Sequence, residues 1–178
     1  MQFDEVLRTF SAFFEREGIR YALAGGLALV AWGHTRPTFD ADFVVDGSNG
    51  ERVRAFAESL GYETTHASDG FSNHRHASKD WGAIDFLYVY GRTAEEVFHD
   101  SVRREAIGVD VPVTHPDHLI AMKVHAIRNS AHRVFVDAPD IGYLLTLPNV
   151  DQNRARDYFA RADLLRIFDA LKGDLPRR

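Results

Sequence analysis

The chain has 178 residues, is 45% hydrophobic and 26% charged, and carries a net charge of −5. That length suits one domain with a sizeable core, and the ordinary composition excludes collagen-like and disordered classes. The acidic balance gives no support to broad binding of a nucleic-acid backbone, and the lack of cysteine excludes disulfides, thiolate metal sites and a thiol nucleophile.

No apolar run approaches bilayer length, so no membrane partner is expected. The first ten residues, MQFDEVLRTF, carry acids and no apolar core, unlike a secretory signal. A cytoplasmic location is the resulting expectation. No internal repeat or low-complexity tract is visible.

Phe3, Val6, Leu7, Phe10 and Phe14 recur at helical spacing, which predicts an amphipathic helix ending near Gly18. Ile19 to Ala24 is short, apolar and partly β-favouring, and reads as a strand. Two glycines follow, and Leu27 to His34 reads as the next helix. Pro37 disfavours helical backbone at Arg36, so the chain extends there. Phe39 to Asp46 reads as a second strand. After a turn at Gly47 to Gly50, Glu51 to Leu60 is predicted helical, with Val53, Phe56, Ala57 and Leu60 on one side and Gly61 as its stop. Tyr62 to Trp81 is polar and His-rich, and an extended segment or hairpin is expected. Ala83 to Tyr90, reading AIDFLYVY, is a strong strand. Thr93 to Arg103 is expected to be partly helical, and Glu105 to Val113 a short hairpin turning near Gly108.

From Pro116 onward the pattern is helical. Pro116 suits a first turn, and the helix continues through Leu119 to Ile127. Pro139 to Leu147 is predicted as a short helix stopped before Pro148. Asp151 to Leu171 is predicted as the last and longest, with Phe159, Ala162, Leu165 and Phe168 in its apolar stripe. The expected fold class is therefore α/β (α+β): a mixed core over residues 1–115, then a helical part over 116–178. No Pro/Gly-rich linker separates the two, so one domain spanning 1–178 is expected.

The stretch richest in chemistry is AGGLALVAWGHTRPTFDADFVV, Ala24 to Val45. Gly25 and Gly26 allow close backbone approach to a ligand, and a helix start is a natural phosphate site. Asp40 and Asp42 share one face of their strand, because side chains alternate with period two. Two carboxylates on one face in apolar surroundings are costly without a cation. Asp85, in the middle of AIDFLYVY, is a third acid hard to explain otherwise, and a strand paired beside the first would bring it to the same edge. Carboxylate oxygens suit Mg²⁺, which keeps substrate phosphates and waters as its other ligands, and a two-metal site is expected. Arg36 has the fork geometry for phosphate, or pairs with a local acid.

Other polar residues have plainer readings. Asp46, next to Gly47 and Ser48, reads as a turn or cap residue. His66, His74 and His76 match no common zinc spacing. His74, Arg75, His76 and Lys79 read as a solvated loop, with the lining of an acceptor cleft as the alternative. No Ser-centred elbow, HExxH, P-loop or GxGxxG is present.

The run GGLALVAWGHTRPTFDADF resembles the DNA polymerase β-like nucleotidyltransferase superfamily. Within it the run looks like the small bacterial branch of abortive-infection toxins and antibiotic adenylyltransferases. The resemblance implies a mixed sheet flanked by helices, followed by a helical region. It implies Mg²⁺-dependent transfer of a nucleoside monophosphate from a nucleoside triphosphate to a hydroxyl acceptor. The family's three metal-binding carboxylates correspond to Asp40, Asp42 and Asp85, with Gly25, Gly26 and Arg36 around the triphosphate. Many relatives have Ser at the second position of the turn, where Gly26 offers only its N–H. PDHLIAMKVHAIRN resembles a further block of the toxin type, in which Lys123 would contact nucleotide phosphates or a catalytic acid. Arg133, Asp137 and Asp140 match a last block, although Val136 stands where lysine is usual. The acceptor would be RNA, protein or a small molecule, and the toxin version brings an antitoxin partner. A non-catalytic nucleotide-binding module of the same fold is the remaining alternative, and the intact set of three acids argues against it.

Overall fold

A computed structural model describes residues 1–174. The chain divides into two compact units, the first from Met1 to Thr114 and the second beginning at His115. No helix among the described residues is long and apolar enough to cross a membrane.

The first unit opens with helix α1 (Phe3–Glu17), ended by Gly18 in the left-handed conformation. Strand β1 (Tyr21–Ala24) runs straight into α2 (Gly25–Ala31). Then come β2 (Asp40–Asp46), α3 (Gly50–Ser59), β3 (Tyr62–Ala67), β4 (Phe71–His76) and β5 (Ala83–Val89). The unit closes with α4 (Gly91–Asp100), β6 (Val102–Ala106) and β7 (Val109–Val113). The seven strands form one mixed sheet in the order β3-β4-β5-β2-β1-β7-β6. The pairs β2/β5 and β1/β7 are parallel, and the rest are antiparallel.

Alternation along β2 and β5 divides the sheet into two faces. Ala41, Phe43, Val45, Ile84 and Phe86 point to one side and are fully buried. There Phe10 of α1 lies 6.0 Å from Phe43 and 5.7 Å from Phe86, ring centre to ring centre, and Phe14 lies 5.5 Å from Phe43. Each such ring contributes about 1.5–3 kcal/mol relative to an exposed one. The opposite face carries the even-numbered acids of β2, Asp40, Asp42 and Asp46, which are half-buried.

The His-rich segment is the β3/β4 hairpin, not a solvated loop. His74 is fully buried on the core face, so it lines no acceptor cleft. Its Nδ1 lies 3.1 Å from Thr64 Oγ1, and that hydroxyl donates to Glu58 Oε1 at 2.6 Å. With the Thr64 proton so used, Nδ1–H donates to Thr64 and Nε2 accepts from Ser72 Oγ at 2.8 Å; Tyr88 OH then donates to Ser72 at 2.7 Å. Burial pushes the His74 pKa down, which keeps the ring neutral in this relay. His76 is also occupied: Nε2 lies 3.2 Å from Leu60 O, and Nδ1 accepts from the Ser78 N–H.

The second unit contains α5 (Pro116–Asn129), α6 (Val134–Leu144), α7 (Gln152–Arg161) and α8 (Leu165–Asp174). Two expectations are corrected here. The helix expected from Pro139 begins at Val134, with Pro139 inside it. The single last helix expected over 151–171 is two helices. Asp163 adopts φ +62°, in the left-handed region, which breaks the right-handed path between α7 and α8. Phe159 and Phe168 still meet across that break, with ring centres 5.4 Å apart.

Candidate active site

The parallel pairing of β2 with β5 aligns Asp40 with Ala83, Asp42 with Asp85, and Phe43 with Phe86. In-register residues share a face, so Asp85 comes to the side already holding Asp40 and Asp42. One carboxylate oxygen from each of the three acids lies within 4.8 Å of the others. Thr38 donates from Oγ1 to Asp40 Oδ1 at 3.2 Å and so fixes that carboxylate at the strand's start. Burial pushes the Asp85 pKa up, and the charge of Asp40 adds to the rise. A hydrogen bond from Asn73 and the charge of Arg75 act the other way.

The glycine turn is explained by the acids themselves. Gly25 has φ +56°, a conformation that a β-carbon disfavours. A β-carbon there would also collide with the Asp42 carboxylate, and one on Gly26 would collide with the Thr38 side chain. Both glycines are thus needed before any ligand arrives, because the acidic strand and its lead-in pack directly on the turn. That requirement is invisible in sequence spacing, as is the contribution of Asn73, which β4 pairs with Asp85.

Arg36 is half-buried and donates from Nε to Pro37 O at 3.1 Å within its own loop. Asp46 takes the turn role expected of it. It accepts from Ser48 N–H at 3.1 Å and from Arg20 Nη2 at 2.6 Å.

Lys123 is in the second unit and does not reach solvent. It is 8% exposed, between Asp137 at 0% and Asp140 at 2%. Its Nζ donates to Asp137 Oδ1 at 2.9 Å and to Asp140 Oδ2 at 2.7 Å. Asp137 also accepts from Arg133 Nε at 2.8 Å. Three of the motif residues flanking Val136 therefore build one ion cluster around the lysine.

Three carboxylates converging at half-buried positions offer hard oxygen donors, which fits Mg²⁺ and does not fit a soft metal.

No protein-family model matches the chain, and no curated protein matches it. Solved structures do. The antibiotic-resistance factor ANT(2″)-Ia is 14% identical, with 97% of each chain covered and a TM-score of 0.67. The lincosamide antibiotic adenylyltransferase LnuA is 17% identical over 79% of this chain and 94% of its own, with a TM-score of 0.59. An antigenic nucleotidyltransferase-like protein from Paracoccidioides brasiliensis is 15% identical over 99% of this chain and 94% of its own, with a TM-score of 0.58. Likeness at such identities bears on architecture, and the architecture of this chain is the polymerase β-like nucleotidyltransferase fold.

Proposed function

We propose that the chain is a Mg²⁺-dependent nucleotidyltransferase that moves a nucleoside monophosphate from a nucleoside triphosphate to a hydroxyl acceptor. The observation that carries this reading is the meeting of Asp40, Asp42 and Asp85 within 4.8 Å, beside the Gly25 turn.

Asp40, Asp42 and Asp85 would hold the metal, and Gly25, Gly26 and Arg36 would border the triphosphate. Bound Mg²⁺ would neutralise charge on the triphosphate and on the departing pyrophosphate. The acceptor oxygen attacks the α-phosphorus, forming a new P–O bond. The bond from that phosphorus to the bridging oxygen breaks, and pyrophosphate leaves with the electron pair. The acceptor proton passes to a carboxylate oxygen of Asp85. The chain's part is mainly positioning and a prearranged field. Lys123 is kept as a nucleotide-binding residue on the resemblance of its block alone, since its amine already pairs with Asp137 and Asp140.

Two versions of the acceptor have equal support. Likeness to ANT(2″)-Ia and LnuA favours a small-molecule adenylyltransferase. Resemblance of the Lys123 and Asp137 blocks to abortive-infection toxins favours a toxin with an antitoxin partner. In either version we infer one 178-residue domain acting in the cytoplasm.

Calorimetric titration with a triphosphate tests the common core. Tight binding with Mg²⁺ and little with EDTA is expected. Binding that ignores the metal, by folded protein, would remove the reading. Binding without transfer to any component of a cell extract would leave the non-catalytic module.

A further inference from the structure

The sheet face that holds the three acids continues beyond them. Asp40 is in register with Ala83, and Ala83 with Arg75, so these three stand in one row. Two strand spacings put the Arg75 backbone roughly 10 Å from that of Asp40. A cavity of about 320 Å³ opens at this row, with Thr38, Phe39, Arg75, Lys79 and Ala83 in its wall. Thr38 joins cavity and site, because its hydroxyl donates to Asp40.

The wall has a distinct chemistry. Phe39 is 84% exposed although it sits between Thr38 and Asp40. Arg75 and Lys79 are exposed. Glu63 is the register partner of Arg75, yet no ion pair among the described residues engages Arg75 or Lys79. No acidic side chain lines the cavity among the described residues. Arg75, whose charge also acts on Asp85, and Lys79 repel a polycation and offer charge-assisted hydrogen bonds to an anion. An exposed ring offers a stacking surface. Two cations are too few for a nucleic-acid backbone, which needs a basic stripe, and the chain as a whole carries −5.

We propose that this cavity is the acceptor subsite, and that the acceptor is a small hydroxyl compound bearing a ring and one phosphate or carboxylate group. The proposal rests on the transferase reading above. The anion pairs with Arg75 and Lys79, the ring lies on Phe39, and the hydroxyl is left beside Asp40 and Asp85. Its oxygen then forms the bond to the α-phosphorus as pyrophosphate departs, and its proton goes to Asp85. A polycationic aminoglycoside is the wrong charge for this wall.

The test is calorimetry on the full chain, with the nucleotide subsite first saturated by Mg²⁺ and a non-hydrolysable triphosphate analogue. That first step reads the transferase assignment by itself, and no Mg²⁺-dependent analogue binding overturns both readings. With the analogue bound, phenyl phosphate, benzoate, tobramycin and a short oligouridylate are titrated in turn. One of the two small anions is expected to bind most tightly, which also distinguishes phosphate from carboxylate. The double variant Arg75→Ala/Lys79→Ala should weaken that anion roughly tenfold or more, and Lys79→Ala alone should weaken it with analogue affinity unchanged. Phe39→Ala should weaken phenyl phosphate more than inorganic phosphate. Equal anion affinity in the double variant overturns the acceptor assignment alone. So does tighter wild-type binding of tobramycin or oligouridylate.

Discussion

Asp42 and Asp85 are direct cross-strand partners in the parallel β2/β5 pair. Like charges placed opposite each other are unfavourable in a sheet. If both serve a metal, removing one charge should help the metal-free fold and harm catalysis. Asp42→Asn is expected to leave the metal-free melting temperature unchanged or slightly raised. Transfer should fall by several orders of magnitude, since metal charge stabilisation is worth several kcal/mol and each 1.36 kcal/mol is about tenfold in rate. A markedly less stable variant would show Asp42 to be structural.

Asp85 gives a dependence on pH. Its folded pKa lies above the ordinary 3.8, chiefly through burial. For a raised group, the stabilising contribution is complete below the unfolded pKa and is lost as pH rises through the folded one. Ionised Asp85 therefore costs stability at neutral pH without metal. Asp85→Asn should melt higher than wild type at pH 7 in EDTA, by ~2–4 °C for each 1 kcal/mol relieved. The gap should close as pH falls toward 3.8. Thermal melts across that range check this, and a lower melting point for the variant at pH 7 would contradict it.

Gly25→Ala meets two obstacles at once. The left-handed backbone costs a non-glycine residue roughly 1–2 kcal/mol. The added carbon also displaces the Asp42 carboxylate. The variant should lose at least that stability by urea denaturation, and Mg²⁺-dependent triphosphate affinity should drop with it. Full affinity would show that the acid can shift without consequence.

Lys123 tests the second unit. Lys123→Met leaves Asp137 and Asp140 buried without the lysine between them, while Asp137 keeps Arg133. Breaking a buried pair on one side costs about 3–5 kcal/mol, a loss that urea denaturation at pH 7 would read. Unchanged stability with weakened triphosphate binding would instead identify a direct phosphate contact.

Much of this arrangement was legible in the chain. The period-two spacing of Asp40 and Asp42 fixed their common face. The apolar run around Asp85 marked a strand, and an acid inside it pointed to the same edge. The breaks at Gly18 and Gly108 were also readable, because glycine tolerates their left-handed backbone. Other features depended on pairing that no local pattern encodes. His74 looked solvated among polar neighbours, yet the β3/β4 hairpin turns it inward, where Thr64 and Ser72, themselves held by Glu58 and Tyr88, satisfy its two ring nitrogens. Lys123 stood out only through the resemblance of its block, and nothing in its own helix announces an ion cluster. Its partners come from the next helix, α6. The break at Asp163 was hidden because aspartate is an unremarkable helix residue that can also adopt a left-handed backbone.

The parallel pairing of β2 with β5 has a consequence for how the chain acquires its shape. A parallel neighbour cannot be reached through a tight turn, so α3, β3 and β4 must be made before β5 can dock beside β2. Loop closure over that distance is slow compared with hairpin formation. During synthesis Asp40 and Asp42 are therefore exposed well before Asp85 reaches them. The electrostatic burden of the site arrives in one late step, when the last central strand seats. A dissolved divalent ion present at that moment would speed seating as well as stabilise its product, so refolding should quicken in Mg²⁺ even with no nucleotide in solution.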